Sequence, residues 1–402
     1  MRSITVIGLD GGLLGQEAEE ALRKAALVVG GERHLENLRV EAERVALEGD
    51  LSGAMGRIEG ASGPVVVLAS GDPGFFGISR LLGERFGRES LRVLPGVSSV
   101  ALAFAKAGLH WEDAAIVSAH GRDPRRAVNI CRAHPKVAVL TSPGFGPAEL
   151  ADALASTGRR FLVAEKLGEL DERVYAGDAR EVAGMNWEDP NVVIVYDAAR
   201  AVGEKGWISG RYESPGRWAL PEMEFEHRSG MITKPETRAR VLACLGPGSG
   251  DLVWDVGAGS GSVAIECARL GAAVIAIEKE AESCARIQKN AAHQGAYVQV
   301  IEAEAPEVLR DLPDPDAVFV GGTGKSFEEV VKLAAVRARR CVVLTLVTLE
   351  RVVPAGEILE DCGLEVETTL LQASRMKGVG SLHRLAAETP VFVVSGRRRS
   401  EP

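Results

Sequence analysis

The stretch LVWDVGAGSGSVAIECARL, residues 252–270, decides how the second half of the chain is read. An apolar strand ends at Asp255, glycines alternate at Gly257, Gly259 and Gly261, and an apolar-periodic helix follows at once. Alternating glycines let backbone pass close to a ligand, and a helix N-terminus offers unpaired N–H groups. A dinucleotide loop would read G-x-G-x-x-G, but its sixth position here is Ser262 and an acid precedes the turn. Asp255 repels a pyrophosphate and suits a ligand with a cationic methionine moiety. The next strand, VIAIEKE, ends in Glu278, and an acid at that strand end suits a ribose diol. A third acidic stretch, Glu302 to Glu304, ends the strand after that.

Working outward, apolar β-branched runs alternate with amphipathic helices twice over. The patterning predicts strands near 3–8, 26–29, 64–69, 91–94, 114–118, 137–140, 161–164 and 192–195 in the first half. In the second it predicts strands near 252–256, 273–277, 298–301, 316–320, 341–345, 365–371 and 391–395, after a helix from Lys234 to Leu245. Continuous apolar strands between helices imply an α/β chain with mostly parallel sheets covered on both faces. Residues 206–228 have no period and carry prolines, glycines, Trp207 and Trp218; they read as a linker between domains at 1–205 and 229–402, with the tryptophans packed on a domain surface. The tail Arg397-Arg398-Arg399 reads as a solvated end.

A length of 402 residues allows two domains, each with its own core. The net charge of −9 argues against a nucleic-acid binder, which carries a basic face. The six cysteines are scattered and form no C-x-x-C pair, which points to free thiols in a reducing cytoplasm. The opening MRSITVIGLDGG reaches glycine too early for a signal peptide, and no apolar run approaches the ~20 residues of a membrane span. The histidines show no metal-ligand spacing, so no metal is expected.

The first half carries four further features in order: VIGLDGGLLGQEAEEAL from residue 6, VVVLASGDPGFFGISRLL from 65, VLPGVSSVALAFAKAGL from 93 and AIVSAHGR from 115. As a set they resemble the tetrapyrrole (corrin/porphyrin) methylases, the class III S-adenosylmethionine enzymes. The matching turns are Gly8–Gly12, Gly71-Asp72-Pro73 and Pro95-Gly96-Val97-Ser98-Ser99. Asp10 departs from that family by replacing the middle glycine of the first turn. The second half resembles the class I methyltransferases, and its opening MITKPETRARVL (231–242) is similar to their decarboxylating members of corrin biosynthesis. Ala303-Glu304-Ala305-Pro306-Glu307 departs from them where Asp is usual for Glu304.

These resemblances imply a two-lobed tetrapyrrole-methylase fold joined to a Rossmann-like class I fold, with one S-adenosylmethionine site in each. The first site would draw on Gly8, Asp10, Gly71, Asp72, Gly77, Ser98 and Ser99. The second would draw on Thr233, Asp255, Gly257, Ala258, Gly259, Ser260, Gly261, Glu278, Glu304 and Ala305. The implied reaction is methylation of a precorrin at meso carbons 5 (first half) and 15 (second half), with loss of carbon dioxide from the ring-C acetate in the second half. Such an enzyme works mainly by alignment, worth up to ~7–11 kcal/mol, and a homo-oligomer is implied as well.

Candidates on the substrate side are His120, Arg122, Gly322, Thr323, Arg375 and Lys377. For the charged ones, solvated loop positions are the alternative reading. For Gly321–Gly324 the alternatives are an open lip for a large planar acceptor, or a plain helix start capped by Thr323 or Ser326. Three rival functions stay open: methylation at another tetrapyrrole step, a non-catalytic tetrapyrrole or S-adenosylmethionine sensor, and an NAD-linked oxidoreductase, which Ser262 and Asp255 disfavour.

Overall fold

The computed structural model describes residues 3–36, 40–47, 51–200, 215–228 and 232–399. The chain divides into two compact units, Met1–Arg122 with Lys136–Ser209, and Asp123–Pro135 with Gly210–Pro402. The expected linker lies outside the described residues from 206 to 214, and Trp207 with it. Trp218 is described and is 54% exposed.

The first unit holds two sheets. Strands β1 (Ile4–Leu9), β2 (Leu27–Gly30), β3 (Glu43–Ala46), β4 (Val65–Ser70) and β5 (Leu91–Leu94) form a parallel sheet ordered β3-β2-β4-β1-β5. Ile4, Val6, Val65 and Val67 are buried in one core cluster and Ile7, Val66 and Leu68 in another, so both faces are covered. Strands β6 (Ala115–Ser118), β7 (Lys136–Leu140), β8 (Arg160–Glu165), β9 (Arg173–Asp178) and β10 (Asn191–Tyr196) form the other, ordered β6-β7-β10-β8-β9. Only β6 and β7 pair in parallel there. The parallel expectation fails in this sheet because the loop from β8 to β9 is too short for a crossover and can only return antiparallel.

The second unit is built on β11 (Leu252–Val256), β12 (Ala273–Glu278), β13 (Gln299–Glu302), β14 (Ala317–Val320), β15 (Cys341–Leu346), β16 (Leu364–Leu371), β17 (Ser374–Val379), β18 (Leu382–Ala387) and β19 (Val391–Arg398). Its main sheet runs β13-β12-β11-β14-β15-β19-β16, with β16 and β19 antiparallel to their neighbours. The hairpin β17–β18 stands apart as a two-stranded sheet. Trp254, Val318, Val342 and Val394 are buried in one cluster, which fixes the central strand ends rigidly. Arg398, expected in a solvated tail, instead closes β19, donating to the carbonyls of Ala335 and Ala338, both at 2.8 Å. Asp123–Pro135 belongs by its contacts to this unit: Arg125 Nη1 donates to Asp316 Oδ1 at 2.5 Å and Asn129 Nδ2 to the Gly250 carbonyl at 3.0 Å.

Candidate functional site

In the first unit, three strand ends converge through missing side chains. A Cβ on Gly8 would lie 2.2 Å from the Gly71 carbonyl and 2.3 Å from the Gly96 nitrogen, so the turns after β1, β4 and β5 touch backbone to backbone. Asp10 ties two of them: Oδ2 accepts from the Val97 amide at 2.9 Å and Oδ1 from the Gly12 amide at 3.0 Å. Those bonds, Val97 first, hold its carboxyl below the ordinary aspartate range. An acid in place of the family's middle glycine is thus a clasp between turns. Asp72 folds back on its own turn, accepting from the Gly74 amide at 2.8 Å. Ser98 caps the helix Ser99–Ala107, its Oγ accepting from the Ala101 amide at 3.2 Å.

These turns form one wall of a cleft of about 1520 Å³ within the unit. Asp10, Gly71, Gly77, Ser99, His120 and Arg122 all line it, while Gly8, Asp72 and Ser98 lie in the turns behind its lining. Phe75, Phe76, Leu81, Val97, Leu102 and Leu170 give it apolar surface. Sequence reading missed many of its polar members, among them Arg33, His34, Ser70 and Glu169. Arg33 donates from Nη2 to Ser70 Oγ at 2.6 Å and from Nη1 to Glu169 Oε1 at 2.8 Å. His34 Nε2 lies 2.9 Å from the same hydroxyl. Burial first, then the Arg33 charge, pushes His34 down to about 4. The one available signal was a strand ending in Gly30-Gly31, two residues before the Arg33-His34 pair. His110, Glu112 and Asp113 also come together, but the buried Lys136 Nζ takes Asp113 at 2.7 Å.

In the second unit the glycine turn follows β11, and its three glycines serve three purposes. A Cβ on Gly257 would lie 2.3 Å from the Gly322 carbonyl; on Gly261 it would meet Ile287 at 2.8 Å; on Gly259 it would enter open space. All three have positive φ. Gly257 and Gly261 therefore permit packing, whereas Gly259 leaves the backbone bare toward solvent. Ala258 and Ser260 complete the turn, with Ser260 accepting through its carbonyl from Asn290 Nδ2 at 2.9 Å. Glu278, at the end of β12, accepts from the Gly259 amide at 2.9 Å and the Glu280 amide at 3.0 Å. Asp255 lies 1% exposed beneath the turn, Oδ2 accepting from the Ala264 amide at 2.9 Å. Burial pushes its carboxyl up to about 7, opposed by the Ala264 bond and aided by the Glu278 charge. Its Oδ1 and the Thr323 Oγ1 are buried with no hydrogen-bond partner.

The remaining predicted residues are less concentrated. Ala305 is half-buried beside the core, while Glu304 is exposed and paired with Lys279 at 3.4 Å. Thr233 is half-buried, and its carbonyl accepts from Arg238 Nη1 at 2.6 Å. Arg238, which sequence reading passed over, is fully buried against Glu266 at 2.6 Å and also donates to the Leu220 carbonyl. Glu266 in turn accepts from the Leu220 amide at 2.8 Å, so this pair fixes the segment that carries Thr233. Arg375 is surrounded by Glu236 at 2.9 Å, Glu388 at 3.4 Å and Glu222 at 3.7 Å, and Lys377 is exposed on the hairpin.

Residues 6–183 match the tetrapyrrole (corrin/porphyrin) methylases, and residues 224–398 match the precorrin methyltransferase domain. A precorrin-6Y C(5,15)-methyltransferase (decarboxylating) of Sinorhizobium sp is 40% identical over 354 residues, 83% of this chain and 81% of the relative. The chain belongs to this family. Two shorter relatives each cover just under half of it. A cobalt-precorrin-7 C(5)-methyltransferase of Salmonella typhimurium is 34% identical over 48% of this chain and 98% of its own. A probable cobalt-precorrin-6B C(15)-methyltransferase (decarboxylating) of Pyrobaculum calidifontis is 33% identical over 46% of this chain and 96% of its own. Precorrin-6Y C(5,15)-methyltransferases thus correspond in length to two such proteins joined end to end. Among the described residues, no helix is long and apolar enough to cross a membrane.

Proposed function

We propose that the chain methylates precorrin-6Y at carbons 5 and 15 and decarboxylates its ring-C acetate, an activity of cobalamin biosynthesis. Residues 1–205 would carry carbon 5 methylation, 229–402 carbon 15 methylation and decarboxylation, and 206–228 the link. The observation that carries the reading is the 1520 Å³ cleft of the first unit, with its apolar surface, its arginines and its glycine turns. A large planar ring rimmed with carboxylates needs apolar surface for its faces and fixed cations for its edge.

The residues present fit S-adenosylmethionine, which when bound supplies an activated methyl group; we infer one site per unit. In the second unit, Gly259 exposes backbone to a ligand, and Glu278 keeps free lone pairs for a diol beside its two amide bonds. Asp255 Oδ1 and Thr323 Oγ1 are unsatisfied groups of the kind a ligand completes. In the first unit, Gly71, Gly77 and Ser99 face the cleft while the Asp10 clasp keeps the turns in register. Replacing a meso hydrogen by methyl releases one proton, and exchanging the acetate carboxylate for hydrogen takes one up. The enzyme's task is therefore to align the ring and to exclude water.

None of the six cysteines forms a disulfide, which favours a reducing cytoplasm. Met376, Leu382 and Leu385, each at least 69% exposed on the β17–β18 hairpin, favour a homo-oligomer. The decisive experiment incubates the full chain with labelled S-adenosylmethionine and precorrin-6Y and weighs the product. Gain of two methyls with loss of one carbon dioxide is expected; a single methyl, or retention of all carboxylates, refutes the assignment.

A further inference from the structure

We propose that the phenyl ring of Phe76 is the platform on which one face of the substrate ring lies in the first unit's cleft, so that Phe76 selects a flat conjugated macrocycle. The inference deepens the reading that this cleft takes a precorrin, and rests on it.

Phe76 combines two features that folding alone does not call for. Its φ is +52°, in the left-handed region that is costly for a bulky side chain and free for glycine. It is also 53% exposed on the lining of the cleft, where much of its apolar surface stays in water. The turn explains why residue 76 takes the strain. A Cβ on Gly77 would lie 2.3 Å from the Pro73 carbonyl, so position 77 must be glycine although its own φ is not positive. The Ser79 amide donates to the same carbonyl at 3.2 Å, closing the turn onto the helix Ser79–Phe86. Glycine or asparagine at position 76 would meet these constraints at less cost.

Two other non-glycine residues with positive φ, Lys166 and Ala219, make a compensating bond. The Lys166 amide donates to the Pro190 carbonyl at 2.8 Å, and the Ala219 amide to Glu266 at 2.5 Å. The Phe76 amide donates to no group among the described residues, so no bond of that kind offsets its strain. What the ring does have is a fixed position. Phe75 packs on the core cluster of Val100, Phe104 and Leu162, and its ring meets that of Phe76 at 80° with centroids 5.0 Å apart. A ring already held in place loses little freedom when a ligand covers it. Leu81, Val97 and Leu170, each at least 39% exposed, share the lining and offer apolar contact without a flat face. Phe76 adds the flat face that a conjugated macrocycle stacks on.

The test is the KM for precorrin-6Y in carbon 5 methylation by the full chain, read beside thermal unfolding and S-adenosylmethionine affinity by calorimetry. Phe76→Gly removes the platform and the strain together. It should raise KM about tenfold to a hundredfold, the worth of burying a phenyl, without lowering the unfolding temperature. Phe76→Leu keeps apolar surface and the strained φ but loses the flat face, and should raise KM about twofold to tenfold. Phe76→Trp should leave KM unchanged or lower. Cofactor affinity should stay unchanged throughout. A lower unfolding temperature in Phe76→Gly makes the ring a structural plug and overturns the proposal. An unchanged KM in either Phe76→Gly or Phe76→Leu overturns it too, as does a loss of cofactor affinity equal to the rise in KM. Absence of carbon 5 methylation in the unaltered chain instead refutes the underlying reading of the cleft.

Discussion

Asp255→Asn should separate stability from cofactor binding in the second unit. The Asp255 carboxyl is fully buried and titrates at about 7 instead of 3.8. Below about pH 4 it is protonated in folded and unfolded chains alike and contributes no pH dependence. Between about 4 and 7 the folded state keeps a proton that the unfolded chain has released, so stability falls as pH rises. A difference of about 3 units at 1.36 kcal/mol each amounts to about 4 kcal/mol lost by pH 8. Asparagine is close in shape and can still accept from the Ala264 amide, but carries no charge. The variant should therefore gain on the unaltered chain as pH rises, with most of the gain between pH 5 and 8, in denaturant unfolding of the ligand-free protein. Binding should move the other way. A cationic ligand near Asp255 favours the ionised form, so affinity for S-adenosylmethionine in the second unit should rise between pH 6 and 7.5 and be accompanied by proton release. Asp255→Asn should abolish that rise and weaken binding about tenfold or more. Parallel stability curves for the two proteins from pH 5 to 8 would refute the burial argument. Unchanged, pH-independent affinity would refute the binding role.

Three further outcomes follow from the geometry. Gly257→Ala places a Cβ 2.3 Å from the Gly322 carbonyl at a φ of +71°, so the second unit should lose about 1–3 kcal/mol or more, with carbon 15 methylation and carbon dioxide release lost before carbon 5 methylation, as product mass would show. Arg238→Met strands the buried Glu266 carboxylate and should cost about 3–5 kcal/mol in denaturant unfolding, while Arg238→Met with Glu266→Met should recover a good part of it. Asp10→Ala removes the clasp on the Val97 and Gly12 amides; carbon 5 methylation should fall at least tenfold with carbon 15 methylation intact. Because the Asp10 carboxyl is held below its ordinary range, its contribution is present above that range and disappears as pH falls through the folded value.

The glycine turns and buried strands were legible because each is a local constraint written in consecutive residues. Val65–Ala69 and Leu252–Val256 are apolar runs that only a two-faced burial explains, and both lie within strands. Strands β3, β9, β17 and β18 were not foreseen. Glu43-Arg44, Arg173 and Ser374–Lys377 break any apolar run; β3 and β9 persist by pairing with β2 and β8, which carry the hydrophobic signal, whereas β17 and β18 pair with each other as a hairpin. The polar anchors were hidden for another reason: Arg33 and Glu169 are 136 residues apart, and Arg238 and Glu266 are 28 apart. No periodicity links such pairs, since only the folded chain brings them together.

The two acids at the glycine turns show where reading by symbol gives out. Asp10 and Asp255 each sit beside a strand end and a run of glycines, and each invites the same role. Asp10 remains near the cleft surface, where two backbone amides stabilise its charge and lower its pKa. Asp255 has one amide for one oxygen and none for the other, in a place water does not reach, and its pKa rises. Amide bonds outweigh partial burial in the first case; complete burial outweighs a single amide bond in the second. One carboxylate is thus a finished structural tie, ionised before any ligand arrives. The other is an incomplete site whose ionisation a cationic ligand would drive. Measuring proton release on binding therefore tests the proposed cofactor chemistry of the second unit more directly than loss of activity does, because a merely structural Asp255 would release none.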